Sequence, residues 1–414
     1  EAELVVIGGG PAGMMCAATA AERGMRVILL EPNRLLGRKL RITGKGRCNV
    51  TNNCDIKTFM ENIPGDGRFL YSALNRLSPT QTMELFESHG LKLKTERGNR
   101  VFPVSDNAND VAGTMAHWCE RAGVRVMHTH AKGVRIENGI VTGVPTDEGM
   151  IDCRAAAICT GGLTYALTGS TGDGYKFARS AGHTIDTPWP SLVPLESDDD
   201  YCAEMQGFAL KNVTLSAYEN DVLIYRELGE VLFTHFGVSG PLVLSASAHL
   251  RDWDKHTYRL SIDLKPALTP EQLDARIQRD FAKYSRKQLK AGLHDLLPQS
   301  LIPVIIDAAC LKPEQEVNQI TRKERQRLVE TLKAFMVPLS GTRPLAEAIV
   351  TAGGVSTKEI NPSTFASKKV PNLYFAGEVM DVDGYTGGYN LQAAFSSGCV
   401  AGTHAALDGK EESV

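Results

Sequence analysis

The sequence predicts an α/β protein. Both ends of the chain build one discontinuous Rossmann-like nucleotide domain around a middle that is first β-rich and then helical. Three observations carry this. Gly8-x-Gly10-x-x-Gly13 follows a short apolar run and opens a stretch of helical composition. Of 39 glycines, 22 lie at 1–46, 161–182 and 353–402, while 188–340 holds only five, so the excess outlines separate stretches of tight backbone and not the whole chain. Near Pro188 the texture changes to strand-like runs and then to Lys/Arg/Gln-rich helical ones.

Each element follows in order. Leu4–Ile7 reads as a strand and Ala12–Arg23 as the helix after the glycine turn. Arg26–Leu30 is a second strand ending at Glu31. The alternation repeats with a helix over Val111–Arg121 and a strand over Val124–Met127. Residues 133–144 alternate around Asn138-Gly139, which predicts a β-hairpin or a meander. Ala155–Cys159 is a buried-type strand running into Thr160-Gly161-Gly162. Val222–Tyr225 and Tyr258–Leu264 read as strands of the insert, and Thr269-Pro270 marks the start of its helical part. The division is 1–187 with 345–414 for the nucleotide domain, 188–267 with 335–344 for a β-rich substrate domain, and 268–334 for a helical subdomain.

Bulk properties exclude several classes. The net charge of -3 and pI of about 6.4 give no chain-wide attraction to nucleic acid or anionic lipid. No apolar stretch approaches the ~18 residues that span a bilayer, and the start lacks a basic-then-apolar leader. The expectation is a cytoplasmic protein with a small-molecule substrate and neither a membrane nor a nucleic-acid partner. The nine cysteines are odd in number and form no C-x-x-C, which argues against a disulfide scaffold, a zinc ribbon or a redox dithiol. His128-x-His130 places two imidazoles on one strand face without a third ligand nearby, so no metal is expected.

The glycine turn has a physical reading. The first glycine permits the tight turn, the second lets a diphosphate approach the backbone, and the third lets helix and strand pack closely. Pro11 and Ala12 lie within it, and helix amides point at the ligand. Glu31, followed by Pro32 and Asn33, ends the second strand, where a carboxylate accepts ribose hydroxyls and repels a 2′-phosphate. The site therefore suits FAD or NAD better than NADP.

Three further segments narrow this. They are Gly37-Arg38-Lys39-Leu40-Arg41-Ile42-Thr43-Gly44-Lys45-Gly46-Arg47-Cys48-Asn49, the run from Thr160-Gly161-Gly162 through Ser170–Tyr175 to His183, and the run from Val350–Val355 through Ala376-Gly377-Glu378 and Asp381–Gly384 to Gly387–Gln392. Together they resemble the BaiN-type NAD(P)/FAD-dependent oxidoreductases, a bacterial flavoprotein family. The resemblance covers nearly the whole chain, the insert included through Leu232–Pro241. Lys45 departs from it, since relatives often carry glycine there.

The resemblance implies a Rossmann-like FAD-binding domain, with FAD bound and NAD(P)H as a transient electron donor. Gly8, Gly10, Gly13 and Glu31 would hold diphosphate and adenosine ribose. Arg38, Lys39, Thr43, Gly44, Gly46, Arg47, Cys48 and Asn49 would flank the flavin, with Thr160 and Gly161 beside the cofactor. Gly377, Glu378 and Asp383 would reach the ribityl and diphosphate region. Gly388, Tyr389, Asn390 and Leu391 would open a helix over Gln392–Ala401 whose amides stabilise negative charge on reduced flavin. Taken without the motif, Arg38, Lys39 and Arg47 read as surface charges, Asp381 and Asp383 as turn braces, Cys48 as a small buried hydrophobe and Tyr389 as core.

The resemblance also implies reduction of a conjugated C=C bond in steroid-like enones, with the insert selecting the substrate. Candidates for the proton donor are Tyr385, Arg343 and His235. Two other readings stand beside it. One is a nucleic-acid-modifying flavoenzyme, using the basic runs at 283–290 and 321–327. The other is a non-catalytic FAD-binding redox protein.

Overall fold

A computed structural model describes residues 2–411. The chain forms two compact units, one running to Ser191 and resuming at Leu345, the other spanning Leu192–Pro344.

The first unit is a Rossmann-type layer structure. Strand β1 (Ala2–Ile7) leads through the glycine turn into helix α1 (Pro11–Glu22) and then strand β2 (Val27–Leu30). Helix α2 (Ala108–Arg121) precedes β3 (Arg125–Met127), and β4 is Gly149–Ile158. The chain returns from the insert with β5 (Leu373–Phe375) and closes with helix α3 (Tyr389–Glu411). The parallel order is β3-β2-β1-β4-β5, with Leu4 opposite both Val27 and Ala155, and Leu373 opposite Ala156. These strands are near-continuous apolar runs and almost wholly buried, as a sheet covered on both faces requires. The first half of β4 pairs antiparallel with Ile140–Thr146, which joins Arg135–Glu137 through Asn138 and Gly139, both at positive φ. That is the hairpin expected from the Asn-Gly signal.

Helix α3 extends well beyond the expected Gln392–Ala401. Gly398 and Gly402 do not break it, because they are where it touches α1. A Cβ on either would lie 2.4 Å from the Ala12 carbonyl oxygen or 2.3 Å from that of Cys16. Strand Ile185–Ser191 pairs with Val350–Val355, so the first unit runs past the change of texture at Pro188.

The second unit carries a seven-stranded antiparallel sheet. Its order is Phe335–Pro338, Tyr258–Asp263, Ala209–Glu219, Val222–Thr234, Gly237–Ser239, Leu195–Glu196 and Gly341–Thr342. Leu215, Phe233, Leu260, Ile262 and Phe335 fill its buried face. Helices Pro270–Lys283 and Arg322–Lys333 each begin with a capping box, Thr269/Gln272 and Thr321/Glu324. Among the described residues no helix is long and apolar enough to cross a membrane.

One buried polar group in the first unit makes stability pH-dependent. The His183 ring is fully buried, with Nε2 2.7 Å from Ser367 Oγ and Nδ1 3.3 Å from Glu359 Oε2. Burial lowers its pKa. Burial acts to raise that of Glu359, but the Lys369 ammonium and the Thr184 amide and hydroxyl outweigh it and bring it to about 2. Both folded-state pKa values are depressed, so the unfolded chain binds protons first as pH falls. The stabilisation is present above the ordinary values of 6.5 and 4.5 and is lost as pH drops through the folded ones. With discounting for partial exposure of Glu359, the loss between pH 7 and pH 3 should be about 1–3 kcal/mol. Thermal melts across that range test it, and His183→Gln should flatten the upper part of the profile. A melting temperature independent of pH in the wild type would sink the assignment.

Candidate functional site

The glycine turn is built by contacts that exclude any side chain. A Cβ on Gly13 would lie 1.8 Å from the Gly8 carbonyl oxygen, and one on Gly8 would lie 2.5 Å from that of Cys159. Gly10 differs. It is the N-cap of α1, has no capping side chain, and a Cβ there would meet nothing within 4 Å. Gly8 and Gly13 thus fix the turn, while Gly10 leaves backbone open at the start of a helix whose first residues are Pro11 and Ala12. Such a cradle suits a diphosphate.

Glu31 is held beside it. Its Oε2 accepts from the Gly9 amide (3.0 Å), and its Oε1 from the Asn33 amide (2.9 Å) and Asn33 Nδ2 (2.6 Å). Asn33 Oδ1 in turn accepts from Arg38 (2.6 Å). Pro32 lies between the two partners, so the carboxylate is fixed at the strand end where ribose hydroxyls can donate to it. His128 contacts the Glu31 carbonyl oxygen through Nδ1 at 3.1 Å. Among the described residues no group of three His, Cys, Asp or Glu side chains is placed to hold a metal.

The next segment is conformationally unusual. Arg38–Ile42 is a short helix, and Thr43 Oγ1 donates back to the Leu40 carbonyl oxygen (2.7 Å). Gly44, Lys45, Gly46 and Cys48 then take φ of 57°, 58°, 84° and 60°. Lys45 therefore occupies a left-handed position that glycine tolerates better by about 1–2 kcal/mol, a physical reason for glycine in relatives. Cys48 is fully buried, and burial pushes its thiol up to about 12. It is an inert small hydrophobe. Asn49 Oδ1 is shielded from solvent without a hydrogen-bond partner, and so is Thr160 Oγ1, just before Gly161 at the end of β4. Unpartnered buried acceptors in this position need a donor from outside the chain. The open backbone at Gly10, the fixed Glu31 carboxylate and the open Asn49 acceptor together fit FAD.

Several residues expected around the flavin bind other parts of the protein. The Arg47 fork is occupied by Glu96 (2.5 Å) and Asp106 (2.6 Å) and stacks on Phe102, 4.1 Å from the ring centroid. It holds the Glu96 carboxyl below its usual range, and together with Lys94 does the same for Asp106. Arg47 thus clamps the loop onto the strand at Leu93–Glu96. Lys39 Nζ lies 2.7 Å from Glu378 Oε2 and 2.8 Å from Thr164 Oγ1, and Glu378 Oε1 also accepts from the Thr351 amide (2.8 Å). That cluster ties three distant segments together beside Gly377, whose amide donates to Ser397 Oγ (3.0 Å). Asp383 is buried and accepts from Ser191 Oγ (2.7 Å). Asn390 closes its own loop, accepting from the Gly384 amide and donating to the Gly384 carbonyl oxygen, each at 2.7 Å. Tyr389 packs edge-on to Phe59 as core, and Leu391 follows it half-buried. These residues shape the site by positioning its loops.

Gln392 was not anticipated. Fully buried in the first turns of α3, it accepts from Thr51 Oγ1 (2.6 Å). It donates to the Leu77 carbonyl oxygen (3.0 Å), Thr82 Oγ1 (2.8 Å) and Ser396 Oγ (2.9 Å). The neighbouring Gly388 abuts Thr51, where a Cβ would lie 2.3 Å from the Thr51 carbonyl carbon. A lone glutamine among small residues carried no signal of this.

Two of the three proton-donor candidates share one corner of the second unit. Arg343 pairs with Glu196 (2.8 Å) and lies 4.6 Å from the centroid of the Phe236 ring, and His235 meets the same ring edge-on at 5.1 Å. The short pairings of Leu195–Glu196 with Gly237–Ser239 and Gly341–Thr342 bring them together. Tyr385 belongs to the first unit. Its backbone is fixed by its own amide donating to Asn62 (3.0 Å) and its carbonyl accepting from Asn390 (3.4 Å).

With this geometry in hand, comparison with known proteins is informative. The model of the HI0933-like protein Rossmann domain matches residues 2–404. A ribosomal RNA dihydrouridine synthase of Escherichia coli is 32% identical over 399 residues, covering 95% of this chain and 96% of that protein. A 3-dehydro-bile acid delta(4,6)-reductase of Clostridium scindens is 29% identical over 412 residues, covering 97% and 98%. Among solved structures, 3-ketosteroid-delta4-(5alpha)-dehydrogenase from Rhodococcus jostii superposes with a TM-score of 0.55 at 15% identity, over 98% of this chain and 96% of that one. At that identity the likeness is one of fold.

Proposed function

The chain belongs to the HI0933-like, BaiN-type family of FAD-dependent oxidoreductases, and from that premise we propose that it reduces a C=C bond conjugated to a carbonyl at the expense of NAD(P)H. The observation that carries this is a reaction type common to two relatives. A bile-acid Δ4,6 ketone and the 5,6 double bond of uracil are both alkenes polarised by a carbonyl. The named activities of both full-length relatives call for the same step, hydride to the β-carbon and a proton to the α-carbon.

Of the two substrate classes we favour the uracil ring of an RNA. The relative so named is 32% identical over nearly the whole chain, and the helical part of the second unit carries a concentration of exposed cations despite the net charge of -3. This departs from the expectation, drawn from net charge, of no nucleic-acid partner. A steroid-like enone is the second reading, supported by the 29% relative.

Bound FAD would supply the hydride. The chain's own part is to hold and orient. The Gly10 backbone and Glu31 would hold the diphosphate and ribose ends, and amides at the N-terminus of α3 would stabilise negative charge on the reduced flavin. Arg343, always charged and already paired with Glu196, suits polarising a substrate carbonyl and cannot give up a proton. Proton delivery falls to Tyr385 or His235.

The test is anaerobic. NADH or NADPH should bleach the flavin of the purified holoenzyme, and uridine-containing ribosomal RNA should restore its colour, with a gain of two mass units on uridine. Reoxidation by a 3-keto-Δ4 steroid instead would select the second reading. If neither nicotinamide bleaches the flavin, the donor assignment fails. If photoreduced enzyme is reoxidised by neither compound class, the reductase assignment fails.

A further inference from the structure

We propose that the end of the helical segment formed by 279–290 and 313–327 is the surface that grips the phosphate backbone of the RNA substrate. The inference rests on the uracil reading above and names the docking surface for it. The chain is acidic as a whole, yet 276–290 holds six cations against the single carboxylate Asp280, and 322–327 holds four against Glu324.

The fold brings these two runs together. Ser285 and Lys287 accept, through their carbonyl oxygens, from the amides of Asn318 (3.0 Å) and Val317 (2.9 Å), and Leu289 donates to the Gln315 carbonyl oxygen (2.9 Å). Arg325 of the second helix bonds Asp274 of the first at 2.6 Å. The segment after the first helix is therefore bonded to the loop that leads into the second, and the first turns of the two helices lie side by side.

The carboxylates of that corner are already bonded. Asp274 holds Arg325, Asp280 holds Arg276 (2.9 Å), Asp295 holds Lys283 (2.6 Å), and Glu324 caps its own helix through Thr321. Arg279, Arg286, Lys287, Lys290, Arg322 and Lys323, with Arg327, are exposed and have no ion-pair partner among the described residues. The exposed acids nearby are Asp295, bonded to Lys283, and Glu314 and Glu316 on the connecting loop. The helix start at Thr321 is satisfied by its capping box, so anion binding here falls to side chains and not to helix amides. Exposed cations of one sign around a corner match a polyphosphate backbone, whose condensed counterions they release on binding.

The experiment uses FAD-loaded full-length protein and two probes, deproteinised ribosomal RNA and phosphatidylserine vesicles. The variants are Arg286→Glu/Lys287→Glu/Lys290→Glu and Arg322→Glu/Lys323→Glu/Arg327→Glu. Wild type should bind the RNA with a steep salt dependence. Each triple variant should bind at least about tenfold more weakly, with a log–log salt slope smaller by about 2 for three lost single-strand contacts. Flavin content, melting temperature and bleaching by nicotinamide should be unchanged. Should a triple variant melt early, Lys287→Gln/Lys290→Gln replaces it, and Lys287→Arg/Lys290→Arg must then bind as wild type does. RNA binding by wild type that the variants retain would overturn the docking surface and leave the uracil reading standing. A wild type that binds no RNA overturns both, and binding of vesicles alone would identify a lipid surface as the occupant.

Discussion

Gly13→Ala is expected to emerge from purification colourless and destabilised. The new Cβ would lie 1.8 Å from the Gly8 carbonyl oxygen, and Gly8 cannot retreat because its own Cβ direction is blocked 2.5 Å away by the Cys159 carbonyl. Nor can α1 slide off freely, since Gly398 and Gly402 of α3 press against Ala12 and Cys16 from its other side. Overpacking of this kind costs about 1–3 kcal/mol, and any relief must tilt the helix start away from the diphosphate. That displacement is worth about a tenfold to hundredfold loss of flavin affinity. Gly10→Ala is the informative control. Its Cβ enters open space, so the apoprotein should melt within about 0.5 kcal/mol of wild type. It should still lose flavin, because the methyl group stands where a diphosphate must approach. The ratio of flavin to protein absorbance and melts of the apoproteins separate the two. Full flavin in Gly10→Ala would remove the diphosphate from this turn.

Gln392→Leu should have the largest effect on stability. The volume is nearly kept, yet Thr51 Oγ1 and Thr82 Oγ1 lose their side-chain partner at a fully buried position, while the Leu77 carbonyl keeps only its bond from Ser396 Oγ. Each orphaned buried group costs about 1–3 kcal/mol, with some recovered by rotating hydroxyls, so a loss of about 4 kcal/mol is expected. Against a usual total of about 5–15 kcal/mol, that leaves a marginal protein. Urea unfolding measures it. A loss below about 1 kcal/mol would mean that the hydroxyls find other partners and that Gln392 is not the joint between α3 and the strand at Thr51–Asn52.

Much of the first unit was legible because its signals are local. The glycine turn, the strand before it and Glu31 after it lie within one short stretch, and Asn138-Gly139 specifies its hairpin through backbone conformation alone. The insert was legible as a scarcity of glycine. The unread parts share a different character. Lys39 and Glu378 are 339 residues apart, and a charge in a sequence does not announce its partner. Arg47 had the chemistry of a cofactor ligand, but Glu96 and Asp106 reach it first. Glycines inside α3 resemble helix breakers unless the backbone they lie against is known. Net charge is silent in the same way, because an average of -3 does not tell that Asp280 and Asp295 pair with Arg276 and Lys283 while neighbouring cations stay exposed.

The union of α1 with α3 also has a consequence for how the protein comes to exist. The ribosome releases α1 several hundred residues before α3. At about 5–20 residues per second, the nascent chain waits tens of seconds with its nucleotide turn formed or forming but its backing helix unmade. During that interval the alanine-rich face of α1 has no mate, and flavin capture before α3 is made is disfavoured. Cofactor loading should therefore follow the synthesis of α3 and be gated by its docking on α1.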